Sequence, residues 1–366
     1  MKIVSIVGTR PNFMKIAPLA EEFRMHHIGH ILVHTGQHYD REMSKLFFDE
    51  LGIPKPDINL GVRSETREEQ IQEIIQKLRE ILKKETPDLV VVVGDVNSTL
   101  AGAEAAHGLG IKLAHVEAGL RSFDKTMVEE INRVETDKIS DFLFTTEKSG
   151  NDNLIKEGIS KDRIFFVGNV MIDTLLKHRE KAKKSEILDK LGIEKDNYCT
   201  LTLHRPSNVD TKEGFENIIS ILESVQKKIK IVFPMHPRTK KNIALFNLNG
   251  RIKKLQNLII TEPIGYLDFL FLMDNSRFVL TDSGGIQEEA TVLGIPCITL
   301  RKNTERPVTV EQGTNLIVST DKEKVIKKAL ELINGKIITN EKIPQLWDGK
   351  ASKRILEIIT GKLKSI

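Results

Sequence analysis

The chain has 366 residues, of which 40% are hydrophobic and 29% charged, with a formal net charge of +4 at pH 7. That composition is globular, and at about 150 residues per domain the length predicts two domains. The small positive excess gives no reason to expect nucleic acid and leaves room for a small anionic ligand. Two cysteines, Cys199 and Cys297, exclude a disulfide-stapled scaffold and suit a reducing compartment. No apolar run approaches the ~20 residues needed to span a bilayer. The opening apolar run is too short for a secretion signal, so the expected setting is cytoplasmic, without membrane partners.

Short apolar runs at residues 2–7, 30–34, 89–93 and 112–116 read as buried strands. Residues 66–85 carry one apolar stripe (Ile71, Ile74, Ile75, Leu78, Ile81, Leu82), and the Ala-rich 96–107 follows a strand through Gly94-Asp95. This alternation predicts an α/β fold with a parallel sheet covered by helices on both faces. The pattern restarts after Val167-Gly168-Asn169. Strands are expected at 198–203, 229–233, 258–261, 278–281 and 297–300, with helices at 214–228, 266–274 and 286–293. The Lys-rich 177–190 reads as the connection between two similar halves, and 351–364 has helical spacing. The expected division is 1–172 with 351–366 packing back on it, and 173–350.

Doubly wound sheets bind ligands at the carboxyl ends of their strands, so two such halves facing each other would form one cleft. Polar residues just past predicted strands therefore matter most. Gly8-Thr9-Arg10-Pro11-Asn12-Phe13-Met14-Lys15 follows the first strand and lacks the spaced glycines of a dinucleotide fingerprint. Arg10 and Lys15 either hold an anion at a helix start or decorate a solvated face. Asp95 either caps the next helix or is a chemical group at a strand end. Glu117 sits in His115-Val116-Glu117-Ala118-Gly119-Leu120-Arg121, and Glu129-Glu130-Ile131-Asn132-Arg133 follows. Asp95, Glu117 and Glu129 are candidate proton carriers; the plain alternative for Glu129 and Arg133 is an i,i+4 helix pair.

In the second half, His204-Arg205 and His236-Pro237-Arg238 follow strands and suit acid–base work beside a phosphate. Thr281-Asp282-Ser283-Gly284-Gly285-Ile286-Gln287-Glu288-Glu289 is the sharpest local signal: a strand, a turn of small residues, then a helix start that can cradle phosphate. Its plain reading is a strand–turn–helix capped by Ser283. Glu289 lies one turn further in, where it can bind sugar hydroxyls, and Arg306 can complete a diphosphate clamp. No metal site stands out; His34 and His38 read as loop residues. Cys199 and Cys297 read as small buried hydrophobes.

Taken in order, these motifs resemble the non-hydrolysing UDP-N-acetylglucosamine 2-epimerase family over nearly the whole chain, with Thr35-Gly36-Gln37-His38 and Thr304-Glu305-Arg306-Pro307 adding to the match. The resemblance implies two Rossmann-like domains in a glycosyltransferase-B-like architecture, a C-terminal helix returning to the first domain, a homodimer and no cofactor. It implies Asp95, Glu117, Glu129 and His204 as catalytic, and Arg10, Lys15, Ser283, Gly284, Gly285, Glu289 and Arg306 as ligands of the UDP-sugar. Phe269 would lie near the uracil, and Ile264, where bacterial members often have Gln, points to a backbone uracil contact. Arg205 and His236 suit a second, activating UDP-sugar, although the loop Tyr39-Asp40-Arg41-Glu42 departs from the bacterial pattern.

The implied chemistry is UDP loss from sugar carbon 1 with proton removal from carbon 2, then re-addition with the proton delivered to the other face. Two faces call for more than one acid–base group. A hydrolysing 2-epimerase, a UDP-sugar glycosyltransferase and a non-catalytic UDP-sugar sensor are the competing readings.

Overall fold

The computed structural model describes residues 1–36, 50–53, 55–64, 66–335 and 342–363. Gln37, His38 and the loop from Tyr39 to Glu42 lie outside these, as does Lys364. The chain divides into two compact units, Met1–Lys177 with Gln345–Ile366, and His178–Pro344.

The first unit is built on seven parallel strands: β1 (Lys2–Val7), β2 (Gly29–His34), β3 (Ile58–Asn59), β4 (Leu89–Val93), β5 (Leu113–Ala118), β6 (Phe142–Thr145) and β7 (Ile164–Phe166), in the order β3-β2-β1-β4-β5-β6-β7. The run Leu-Val-Val-Val-Val of β4 is buried at every residue because helices cover both faces of the sheet. Val4 of β1 is registered between Ile31 of β2 and Val90 of β4. Helix Arg67–Glu85 turns Ile71, Ile74, Ile75, Leu78 and Leu82 inward, and its N-cap Thr66 accepts from the Glu69 N–H. Ala-rich helix Asn97–His107 packs beside it. Helix Ala351–Leu363 packs on helix Arg10–Met25. Asp173 fixes its start by accepting from the Ala351 and Ser352 N–H groups at 3.0 and 2.7 Å, where a carboxylate also complements the helix dipole.

The second unit holds six parallel strands: β8 (Tyr198–Thr202), β9 (Lys230–Pro234), β10 (Leu258–Thr261), β11 (Phe278–Thr281), β12 (Cys297–Thr299) and β13 (Asn315–Ile317), in the order β10-β9-β8-β11-β12-β13. Its core joins Cys199, Leu201, Ile231, Phe233, Phe278, Leu280 and Ile298 from the strands to Phe215, Ile218, Ile219 and Leu222 from helix Lys212–Val225. Both cysteines are buried in strands as free thiols.

The expected parallel α/β class holds in both units. Four further strands, β3, β6, β7 and β13, of two to four residues each, are not among those expected. The stretch 177–190 is largely helical: helix Val170–Ala182 runs across the boundary between units, and helix Ile187–Leu191 follows. Among the described residues, no helix is long and apolar enough to cross a membrane.

Candidate functional site

In each unit the strand order reverses at one point, between β1 and β4 in the first and between β8 and β11 in the second. Such switch points leave a crevice at the carboxyl ends of the two strands. In the first unit they bring Gly8 to Arg10 beside Gly94 and Asp95. Asn12 ties the two loops together. Its Oδ1 accepts from the Gly8 and Thr9 N–H groups at 3.1 Å each, and its Nδ2 donates to the Val93 carbonyl at 3.0 Å. Arg10 opens helix Arg10–Met25. Lys15 stands further along that helix and is buried, with its ammonium 2.8 Å from Oε1 and 2.7 Å from Oε2 of Glu117.

Glu117 is also buried, and its φ of 75° is in the left-handed region that side-chain-bearing residues avoid. It sits in a bulge where β5 slips register against β6, between Val116 and Ala118. The distortion aims the carboxylate off the strand and costs about 1–3 kcal/mol, so the surrounding packing must enforce it. Gly119, with φ of 79°, makes the turn possible: a Cβ there would fall 2.4 Å from the Gly150 carbonyl oxygen.

The N-cap position of the following helix is Val96, one residue past Asp95. The Asp95 carboxylate takes the Arg133 guanidinium at 2.5 Å, and its carbonyl accepts from Asn132 Nδ2 at 2.9 Å. Arg133 also pairs with Glu130 at 2.8 Å, while Glu130 accepts from the Ser122 and Phe123 N–H groups. One face of helix Val128–Ile139 is thus polar and buried. Glu130, Asn132, Arg133, Thr136 and Asp137 are buried, whereas Val128 and Ile131 are 40% and 44% exposed. Glu135 and Lys138 face solvent and Ile139 packs on the core, so the buried charge is confined to the stripe that meets the site. Glu129 lies in its first turn, half-buried.

In the second unit the switch point joins His204 to Asp282. Asp282 is fully buried and accepts from the His204 N–H (3.1 Å), the Arg205 N–H (3.0 Å) and Asn208 Nδ2 (3.0 Å), and it lies 3.0 Å from His204 Nδ1. Burial alone would raise this carboxyl, but the His204 ring and the N–H donors outweigh it and hold it below the usual carboxylate range. The His204 ring is 48% exposed and is held through Nδ1.

Ser283 occupies the N-cap of helix Gly284–Leu293, yet its hydroxyl makes no capping hydrogen bond. The Arg306 guanidinium lies across this helix start: a Cβ on Gly284 would fall 2.4 Å from Nη1. Arg306 is buried and held by Glu288 at 2.6 Å, with Glu305 3.5 Å away. Glu305 also takes Arg301 in two bonds of 2.9 Å, and Arg205 approaches it at 3.6 Å. Glu289, on the inner face of the helix, accepts from the Tyr266 hydroxyl at 3.0 Å, and burial pushes its carboxyl up to about 8. Phe269 is half-buried on the same helix as Tyr266, Tyr266–Asp274. His236 is exposed at the N-cap of helix Pro237–Leu245, where Nδ1 accepts from the Arg238 N–H at 3.2 Å. Gly285 is half-buried, one residue past Gly284.

The first unit therefore gathers Arg10, Lys15, Asp95 and Glu117 around one switch point, with helix Val128–Ile139, which carries Glu129, supporting it. The second gathers His204, Arg205, Ser283, Gly284, Gly285, Glu289 and Arg306. Reading the sequence named Arg133 only as a helix partner of Glu129 and gave no role to Asp137, Asp282, Tyr266, Glu288 or Glu305, which hold these residues. One signal was present, since Glu129, Arg133 and Asp137 recur every four residues along one helix face.

The sequence profile described as UDP-N-acetylglucosamine 2-epimerase matches residues 21–360. The UDP-N-acetylglucosamine 2-epimerase of Methanocaldococcus jannaschii is 46% identical over 98% of this chain and 99% of its own. The UDP-2,3-diacetamido-2,3-dideoxy-D-glucuronate 2-epimerase of Pseudomonas aeruginosa is 39% identical, over 98% of this chain and 99% of its own. A crystal structure of the Methanocaldococcus jannaschii UDP-GlcNAc 2-epimerase in complex with UDP-GlcNAc and UDP superposes with a TM-score of 0.91 at 45% identity, over 98% of this chain and 99% of that one. This chain belongs to the UDP-N-acetylglucosamine 2-epimerase family.

Proposed function

We propose that this chain is an isomerase that inverts carbon 2 of UDP-N-acetylglucosamine, giving UDP-N-acetylmannosamine, by elimination and re-addition of UDP. The observation that carries this reading is Glu117: a buried carboxylate held in a left-handed backbone against Lys15, in a family named for inversion at carbon 2. Its placement suits a base that takes the carbon-2 proton as the bond from carbon 1 to the diphosphate breaks. The electron pair of the C–H bond becomes the C1–C2 double bond, and UDP leaves with the C1–O pair. Return of a proton to the opposite face of carbon 2 and re-addition of UDP to carbon 1 complete the inversion. Asp95, fixed by Arg133, and Glu129 share the proton traffic, and His204 serves the leaving diphosphate.

Ser283, Gly284, Gly285 and Arg306 hold the diphosphate through a helix start and a guanidinium, and Arg10 adds positive charge. Lys15 fixes Glu117 and, through its charge, the negative ligand beside it. Glu289 meets the ribose hydroxyls, and Phe269 lies by the uracil. Arg205 and His236 are candidates for a second UDP-sugar. Substrate and product stand at one oxidation level, so the route requires no hydride carrier. A homodimer and a cytoplasmic setting belong to the same reading.

The Pseudomonas relative supports a second reading of the sugar alone, a 2,3-diacetamido uronate in place of N-acetylglucosamine. Incubation with each UDP-sugar and proton spectroscopy of the products decides. UDP-N-acetylmannosamine supports the first reading and inversion of the uronate alone supports the second. Free N-acetylmannosamine with UDP makes the enzyme hydrolysing, and no product from either sugar defeats the isomerase reading.

A further inference from the structure

Asp137 is fully buried on helix Val128–Ile139 and has no part in the chemistry proposed above. Two of its three side-chain interactions, those with His115 and with the Gly119 N–H, lead back to that chemistry. Oδ1 lies 2.6 Å from Nδ1 of His115, a buried residue of β5, and the opposite ring nitrogen, Nε2, lies 2.8 Å from the Gly94 carbonyl oxygen. Gly94 immediately precedes Asp95. Oδ2 accepts from the Gly119 N–H at 3.1 Å, which closes the turn after Glu117, and takes Arg121 Nη2 at 2.7 Å. One turn earlier on the helix, Arg133 holds the Asp95 carboxylate.

The protonation pattern follows from the partners. A carbonyl oxygen only accepts, so His115 Nε2 carries a proton. Asp137 Oδ2 faces the Gly119 N–H and the Arg121 guanidinium, and Oδ1 faces His115 Nδ1. Burial would raise the Asp137 carboxyl, but His115 and Arg121 outweigh that and hold it low. Arg121 also pairs with Glu157 at 2.7 Å.

We infer that Asp137 is a positioning residue for two acid–base groups at once. Through His115 it fixes the backbone that carries Asp95, and through the Gly119 N–H it fixes the bulge that carries Glu117. Two carboxylates that must meet one carbon from different directions need a common reference, and a single buried side chain supplies it. Misplacement of either group by about 1 Å costs on the order of 10²-fold in rate. The inference rests on the reading that Asp95 and Glu117 carry the protons.

The test is Asp137→Asn in the full chain, measured beside the wild type for epimerisation of UDP-N-acetylglucosamine, for UDP affinity and for cooperative thermal unfolding. The expected result is a kcat about 10²-fold lower or more, with KM and UDP affinity within about threefold of wild type in a protein that still melts cooperatively. A merely structural role lowers the melting temperature and the active fraction and leaves kcat per UDP-binding site unchanged, which overturns the inference. Should Asp137→Asn not fold, Asp137→Glu keeps the charge and displaces it by one methylene. A selective kcat loss is again expected, and wild-type kcat again overturns it. Failure of both variants to fold assigns Asp137 to stability alone and also overturns it. A wild-type protein that binds UDP but produces no epimer defeats the underlying functional reading, a result separate from an active wild type matched by its variant.

Discussion

Lys15 and Glu117 are 102 residues apart in the chain and form a buried ion pair, 2.7 Å between ammonium and carboxylate. The lysine comes from the helix after β1 and the glutamate from the bulged end of β5. Both are nearly inaccessible to water, at 5% and 1% exposure. Lys15→Met should therefore destabilise the chain by about 3–5 kcal/mol, the range for removing one partner of a buried ion pair. Lys15→Met combined with Glu117→Gln should recover most of that loss. Denaturant unfolding of the two single variants and the double variant checks both statements, and a Lys15→Met cost under about 1 kcal/mol would contradict them.

Glu117→Gln is isosteric and keeps the acceptor that faces Lys15. It should bind UDP-N-acetylglucosamine with near-wild-type affinity while turnover falls by roughly 10²–10⁴-fold, the range for loss of a general acid or base. Asp95→Asn should behave alike, since Arg133 still finds a carbonyl oxygen. Calorimetric binding paired with steady-state rates separates the two effects. Turnover near wild type in Glu117→Gln removes that residue from the chemistry.

The buried Glu289 predicts a pH dependence of stability in the ligand-free protein. Its folded value, about 8, is raised above its ordinary 4.5 by burial. The neutral form is thus the native one. Its contribution is fully present below about 4.5 and is lost progressively as pH rises to about 8, where folded Glu289 ionises. Glu289→Gln cannot ionise and its amide oxygen still accepts from Tyr266. The variant should gain on wild type across that window at up to ~1.4 kcal/mol per pH unit and stay level above it. Unfolding curves at half-unit intervals test this, and parallel pH profiles would contradict it.

Gly284 predicts an effect on binding. A methyl group there would sit 2.4 Å from Arg306 Nη1, and Arg306 is pinned by Glu288 and Glu305, so it has little room to yield. Gly284→Ala should weaken UDP binding at least about tenfold, as Arg306→Ala should. Stability should fall as well, because overpacking against the pinned Arg306, at about 1–3 kcal/mol, outweighs the up to ~1 kcal/mol that alanine gains over glycine in a helix. Isothermal titration with UDP is the check.

The fold was legible where burial is continuous. Leu89–Val93 and Phe278–Thr281 are strands with every residue buried, and their apolar runs say so. The helical stripe from Ile71 to Leu82 is equally plain. The switch-point residues could be named because they follow such strands. Their geometry could not, since it is tertiary. Asp95 meets an arginine 38 residues later, and Glu117 adopts a left-handed backbone that no glutamate announces. Helix Val128–Ile139 reads as an ordinary amphipathic segment until the structure shows its charged face buried. Ser283 illustrates the converse: the sequence allowed a cap, and the helix start has one by position, but its hydroxyl is not spent on capping.

The central claim is that this chain takes and returns the proton on sugar carbon 2. Incubating the pure protein with UDP-N-acetylglucosamine in deuterated water, without added nicotinamide cofactor, and following the carbon-2 proton by NMR tests it most directly. The account predicts UDP-N-acetylmannosamine carrying deuterium at carbon 2, with the exchange abolished or nearly so in Glu117→Gln. Epimer formed with the original proton retained, or exchange that persists undiminished in Glu117→Gln, would contradict it.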